Sequence, residues 1–435
     1  MADPRSTFNI GLAVAKEETY SVSPDFLYYW QGGKYIPITT NGTPNLWDRQ
    51  ATIFPEGRAG SRARYNRRPV VGRQWSDGDF GYDFTMDFFP LLAYGAMGSL
   101  SSNSVPSTDF SLQEAEPITA DTSKLLVLTN QPSDGGAILA MYIGGTSAGG
   151  WVEVIGQDAE GRSASEVISF SSAGSLYTRT SFSSIAASNI TVWSTNDATI
   201  SINGYQYFEH TVSFNNVNNP TFSIQSFGDP TAGATSIIRL LPGMVVTELS
   251  LDTPAEARDG LMTGTVNWEG RPTATCTGAS LASVSSVQVW PAWTLSLYRD
   301  GVSFDKALDF SFSIQSGNRN FRVASGNQAP QGAVFLGQHV EGSMRILLNS
   351  EDEYNRWRSA SSNRIYANWQ SPYKLNTSHS QQMSASFNQL YFSDVSRGED
   401  ADLQVLESDF MQIVDSDAGL ARFYFKSNMP PSAYS

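Results

Sequence analysis

Cysteine is nearly absent. The 435 residues hold one, Cys276, which excludes an intrachain disulfide framework and any cysteine-based zinc site. Histidine is almost as scarce: His210, His339 and His379 stand far apart, with no HxxxH or HxH spacing, so neither a metal centre nor a cofactor is expected. Charge is thin too, at 16% of residues, against about 25% in ordinary soluble chains. Basic residues are the smaller share, 28 Lys and Arg against 42 Asp and Glu for a net charge of −14. That balance argues against a protein that grips nucleic acid by neutralising phosphates. No run of about 18 apolar residues exists to span a membrane. The opening MADPRSTFNIGLAV lacks a basic stretch followed by a long apolar one, so no secretory signal is expected.

Hydrophobic residues make up 40% and aromatics 12%, which argues against disorder. The length implies two to four domains, at roughly 100–200 residues each. Most apolar runs are short, alternate with polar residues, and lie between Gly, Asn, Asp and Ser clusters, as strands do. Lys124–Thr129, Ala137–Ile143, Asn189–Trp193, Leu308–Ile314, Met383–Phe392 and Ala421–Lys426 are examples. Two stretches suit helices: Thr85–Met97, with Pro90 near its first turn, and Ser350–Ala360, with acidic residues at its start. The expected fold class is all-β.

Three blocks follow from the spacing. Residues 1–115 and 207–288 read as one discontinuous β-domain. Residues 116–206, with turns every 8–12 residues, read as an inserted immunoglobulin-like sandwich. Residues 289–435 read as a second β-domain. The string FSIQS occurs at Phe222–Ser226 and again at Phe312–Ser316, and in each half a Gly-led strand runs into a short helix. These features predict two divergent copies of one sandwich-plus-helix unit.

Catalytic constellations are weak. Asp77/Asp79, Glu351/Asp352/Glu353 and Glu399/Asp400/Asp402 read as turn and helix-start carboxylates. Asp158 and Glu160 are too few oxygens for a calcium loop, and no GxSxG elbow is present. No enzyme is expected. The strongest charge feature is Gly57–Arg73, with Arg58, Arg62, Arg64, Arg67 and Arg68. A nucleic-acid contact and a solvated loop are both open readings. Complementarity across a subunit interface, with the acidic Glu399, Asp400 and Asp402 of a neighbour, is preferred to nucleic acid on the net charge.

The chain resembles the major tail tube proteins of long-tailed, siphovirus-like bacteriophages. The resemblance rests on Leu241–Arg271, on Gly332–Ala360 and on Gln382–Asn428. The segment Lys124–Asn203 looks like the immunoglobulin-like decorations of virion proteins. The resemblance implies a structural protein, made in the host cytoplasm and carried in the virion tail, whose stacked rings form a hollow tube for DNA ejection. It implies itself as main partner, with tape measure, tail terminator and distal tail proteins beside it, and DNA only as transiting cargo. Two copies of the fold per chain would make a trimeric ring with pseudo-six-fold symmetry, in place of a hexamer. The competing readings are a carbohydrate-binding fibre, adhesin or baseplate protein and, behind it, a β-sandwich glycosidase or lyase.

Overall fold

The computed structural model describes residues 11–22, 36–53, 70–132, 134–145, 149–185, 189–215, 220–227, 238–254, 260–275, 288–321, 329–334, 337–347, 352–400, 403–412 and 421–434. The chain opens with β1 (Gly11–Lys16), β2 (Ile36–Ile38), β3 (Thr40–Ile53), β4 (Val70–Asp83) and α1 (Phe89–Met97). Next come β5 (Gly98–Ile118), β6 (Thr122–Leu126), β7 (Ala137–Gly145), β8 (Gly150–Asp158), β9 (Ser163–Phe170), β10 (Gly174–Ser184), β11 (Ile190–Ser194) and β12 (Ala198–Phe214). They are followed by β13 (Phe222–Phe227), β14 (Ile238–Thr253), β15 (Thr263–Gly270) and β16 (Ala274–Thr275). The last part holds β17 (Leu295–Arg299), β18 (Val302–Ser303), β19 (Ala307–Gln315), β20 (Arg319–Phe321), β21 (Gly332–Val334), β22 (His339–Leu347) and α2 (Asp352–Arg358). It closes with β23 (Asn363–Lys374), β24 (Ser380–Asp400), β25 (Leu403–Gln412) and β26 (Arg422–Ser427). The fold is all-β.

Helix α1 begins four residues later than the sequence predicts. A helix from Thr85 would need an amide at Pro90 to bond the Met86 carbonyl, and proline has none. Pro90 is tolerated only in the first turn. Gly98, at φ 89°, closes the helix with its N–H on the Tyr94 carbonyl. Nearly every residue of α1 is buried, so it is a core helix without a polar stripe.

Eight strands pair antiparallel in the order β3–β4–β15–β14–β19–β22–β25–β24. In chain order the first half of this sheet is β3, β4, β14, β15 and the second is β19, β22, β24, β25. Both halves are laid out first–second–fourth–third, and in both the helix follows the second strand. The flanking strands repeat as well. β2–β1–β13–β14–β16 has the same pairing as β18–β17–β23–β24–β26. FSIQS is not what repeats: its copies lie in β13 and at β19, which hold different places in the two halves.

The long strands β14 and β24 each serve two sheets. β14 pairs with β13 and β16 up to Met244 and with β15 and β19 beyond it. β24 pairs with β23 and β26 up to Leu390 and with β25 from Leu390 on. Each turns at a positive φ, Gly243 at 64° and Gln389 at 55°. The Gly243 amide donates to the buried Glu17 carboxylate (2.9 Å), which also accepts from Ser223 Oγ (2.6 Å) and Thr221 Oγ1 (3.0 Å).

Two hydrophobic cores result. The larger runs through both halves, with Phe310 stacked on Phe410 (5.8 Å) and packed on Phe387 and Trp369. The smaller lies between Leu112 and Ile202 and is built from β5 to β12, with Val152, Val154, Ile190 and Val192 at its centre. The paired strands β5 and β12 connect the two, from Gly98 opposite Phe214 to Ile118 opposite Ala198, with the register shifting between Ile200 and Tyr207. β12 also pairs with β26 from Phe208 to Ser213.

Candidate functional site: an acidic sheet face with two open edges

Alternation sets the chemistry of the eight-stranded sheet. In β19, Phe310, Phe312 and Ile314 point into the core, and Asp309, Ser311, Ser313 and Gln315 point out. In β4, Phe80 and Tyr82 are buried, and Asp77, Asp79 and Asp83 share the outer face. Register carries that face across the sheet. Glu269 stands opposite Asp77 and Asn267 opposite Asp79, with Glu248 opposite Asn267 and Asp252 opposite Thr263. Farther along come Asp309, Glu341 and Arg345, then Glu407 and Asp409, and Asp394 on β24. Arg49 and Arg345 stand at outward positions of this sheet and both are paired, and Arg73, exposed in β4 on the same alternation as Asp77 and Asp79, adds a third basic residue. Arg49 Nε bonds Asp77 Oδ1 (2.6 Å) and Arg345 Nη2 bonds Asp309 Oδ2 (2.8 Å).

Neutral donors hold other carboxylates in place. Asn267 Nδ2 (2.7 Å) and Ser313 Oγ (2.8 Å) donate to Glu248, Gln315 Nε2 to Glu341 (2.6 Å), and Asn45 Nδ2 to Asp79 (3.1 Å). Burial raises the carboxyl pKa of Asp83 and of Asp252, which flank Thr263 from either side. The face is therefore polar, hydrogen-bonded and negative. Among the described residues, no strand pairs with the outer edge of β3 or with that of β24 beyond Leu390. These open edges lie at opposite ends of the same sheet, where two copies of the chain can add strand to strand.

Asp77 and Asp79 were expected in a turn, but they lie within β4, because the glycines of DGDFGYD interrupt a strand without ending it. Asp158 and Glu160 do form a hairpin turn: Asp158 caps the amides of Glu160 (3.0 Å) and Arg162 (2.8 Å), and Arg162 pairs with both carboxylates. No group of at least three potential metal ligands occurs among the described residues. Arg58, Arg62, Arg64, Arg67, Arg68 and Asp402 lie outside the described residues. Glu399 and Asp400 fall at the end of β24, opposite Gln404 and Leu403, with their side chains outside the description. The sequence signal of this acidic face is the alternation of Asp with Phe and Tyr in β4.

A family model for phage tail tube proteins matches residues 7–375, and the chain belongs to that family. It is a structural component of the virion tail, of a family that assembles with itself and with other tail proteins. No curated protein matches the chain. No helix among the described residues is long and apolar enough to cross a membrane.

Proposed function

We propose that three copies of this chain close into one ring of a non-contractile, siphovirus-type tail tube, and that rings stack into the conduit for DNA ejection. The observation that carries this is the repeated pairing order within one eight-stranded sheet that is acidic on its outer face and open at both edges. The repeat supports two tube units per chain, 1–115 with 207–288 and 289–435, so a trimer has pseudo-six-fold symmetry. The separate small core supports reading 116–206 as an inserted immunoglobulin-like module.

The dimensions agree with the role. Three chains joined edge to edge, β3 to the far end of β24, give 24 strands in eights. At about 4.8 Å per strand and a tilt of about 40°, such a barrel is roughly 48 Å across at the backbone. Inward side chains leave a bore wider than a DNA duplex. Carboxylates lining it repel phosphate, so the genome passes without sticking. The basic segment Arg58–Arg68 and the acidic Glu399, Asp400 and Asp402 belong to contacts between neighbouring copies. Tape measure, terminator and distal tail proteins are the other partners, assembled in the host cytoplasm.

Electron microscopy of the concentrated protein tests this. Tubes with three outer knobs per ring support it. Replacing Arg49 and Val395, one on each open-edge strand, by proline should abolish rings and leave monomers folded; rings that survive both changes count against edge-to-edge closure. The carbohydrate-binding reading is confined to the module, where Trp151 and Trp193 stand opposite each other on the outer face of β8 and β11. Glycan binding lost in Trp151→Ala would favour it.

A further inference from the structure

Three parts of the chain meet at Asp87. Pro90 has no amide for the Met86 carbonyl, and the Leu91 amide bonds the Phe88 carbonyl (3.0 Å), so the carbonyls of Met86 and Asp87 are open to other partners. Tyr434, 1% exposed at the C-terminal end of the chain, donates its hydroxyl to both, at 3.2 Å each. The buried Asp87 carboxylate pairs with Arg179 of the inserted module. The Arg179 carbonyl in turn accepts from Asn428 Nδ2, just past β26 (2.6 Å).

Arg179 reaches Asp87 through a built distortion. The pairing of β10 with β7 slips between Tyr177 and Ser181, a bulge that leaves amides without ladder partners. The Glu166 carboxylate accepts two of them, from Arg179 (2.8 Å) and Thr180 (3.0 Å). Two further bonds cross the same seam. The Lys374 amide donates to Glu160 (3.0 Å), and Thr377 Oγ1 donates to the Asp134 carbonyl (3.2 Å). A polar cavity of about 180 Å³ lies beside them, roomy enough for ordered water. A module that merely hung from the tube would need only a solvated linker. This seam instead buries an ion pair, which is costly to leave half-made.

We propose that the module is a keystone: through the node of Arg179, Asp87 and Asn428 it fixes the angle between the two tube units of one chain. The consequence for the ring, a set curvature, rests on the tube reading above, whereas the lock itself does not.

Hydrogen exchange of the unassembled full chain tests the lock. Arg179→Met, Asp87→Asn and the double variant should each speed exchange of the amides of Lys374–Thr377 and of Met429 by about tenfold, the double no more than the singles, because residues in one contact are non-additive. The double variant leaves no orphaned charge, so opening there cannot be a desolvation artefact. Unchanged exchange at these amides in all three overturns the lock. Ring geometry is tested by excising residues 119–197 and joining Ile118 to Ala198 through Asn-Gly, a turn suited to their opposed register. Rings of irregular size, or folded chains that no longer close, support the keystone. Tubes of wild-type diameter overturn it and leave the tube reading standing. Failure of the unmodified chain to form rings counts against the tube reading, while the exchange result still decides the lock.

Discussion

At neutral pH the fold holds His210 uncharged, and acid should expose the cost. Its Nε2–H donates to the Met429 carbonyl (2.8 Å), which leaves Nδ1 as acceptor for Ser102 Oγ (2.8 Å). Tyr434 closes the site with an edge-on ring 4.9 Å away, and the neighbouring Glu209 carboxylate bonds Tyr424. Burial lowers the His210 pKa from 6.5 to about 4, against smaller upward pulls from the Met429 carbonyl and Glu209. The unfolded chain takes up this proton near pH 6.5 and the folded chain only near 4. Between those values the unfolded state binds more protons, so stability falls as pH falls. The slope is about 1.4 kcal/mol per pH unit, and the whole window is worth roughly 3 kcal/mol. Carboxylates add slopes of their own, so the diagnostic quantity is the difference between the wild type and His210→Gln in urea unfolding at pH 7, 6, 5 and about 4.5. The variant should lose the histidine slope, starting less stable at pH 7 and converging on the wild type in acid. Parallel stability curves would refute the reasoning.

Replacing Asp77, Asp79, Glu248 and Glu269 by their amides should leave assembly intact but make tubes retain duplex DNA at about 50 mM salt, releasing it by about 200 mM; filter binding reads this, and equal retention by both proteins sinks the repelling-bore argument. Glu17→Ala should cost about 3 kcal/mol in urea unfolding, because it strands the Gly243 amide and two buried hydroxyls, and Glu17→Gln less. A loss under about 1 kcal/mol in the alanine variant would mean water replaces the carboxylate. Phe310→Ala should cost about 4 kcal/mol with an unchanged denaturant slope, given its contacts with Phe312, Trp369, Phe387 and Phe410; a much smaller loss would show that the aromatic core collapses to fill the gap.

Much of the fold was legible in local patterns. Alternation marks β7, β8, β11, β19 and β26, and the acidic start marks α2. β5 was hidden because GSLSSNSVPSTDFSLQEAEPI carries almost no apolar alternation, being mostly exposed and held by pairing with β12. The boundaries read from the sequence accordingly cut through β5 and β12. The two copies of FSIQS hold different places in the two halves, and what recurs between the halves is the order of strand pairing, which five residues cannot show. Asp77 and Asp79 look like turn residues beside their glycines. Only the register with β15 shows that they share a face with Glu269.

Because β14 and β24 cross from one sheet to the other, each acts as an index for both. A one-residue slip of β14 would turn Glu248, Ser250 and Asp252 into the core and Leu249 and Leu251 out of it. The same slip would pull Leu241 and Met244 from their places at the other end of the strand. The hydrophobic packing of the flanking sheet thus guards the polarity of a surface it does not touch, and errors in the acidic face are rejected from a distance while the chain folds.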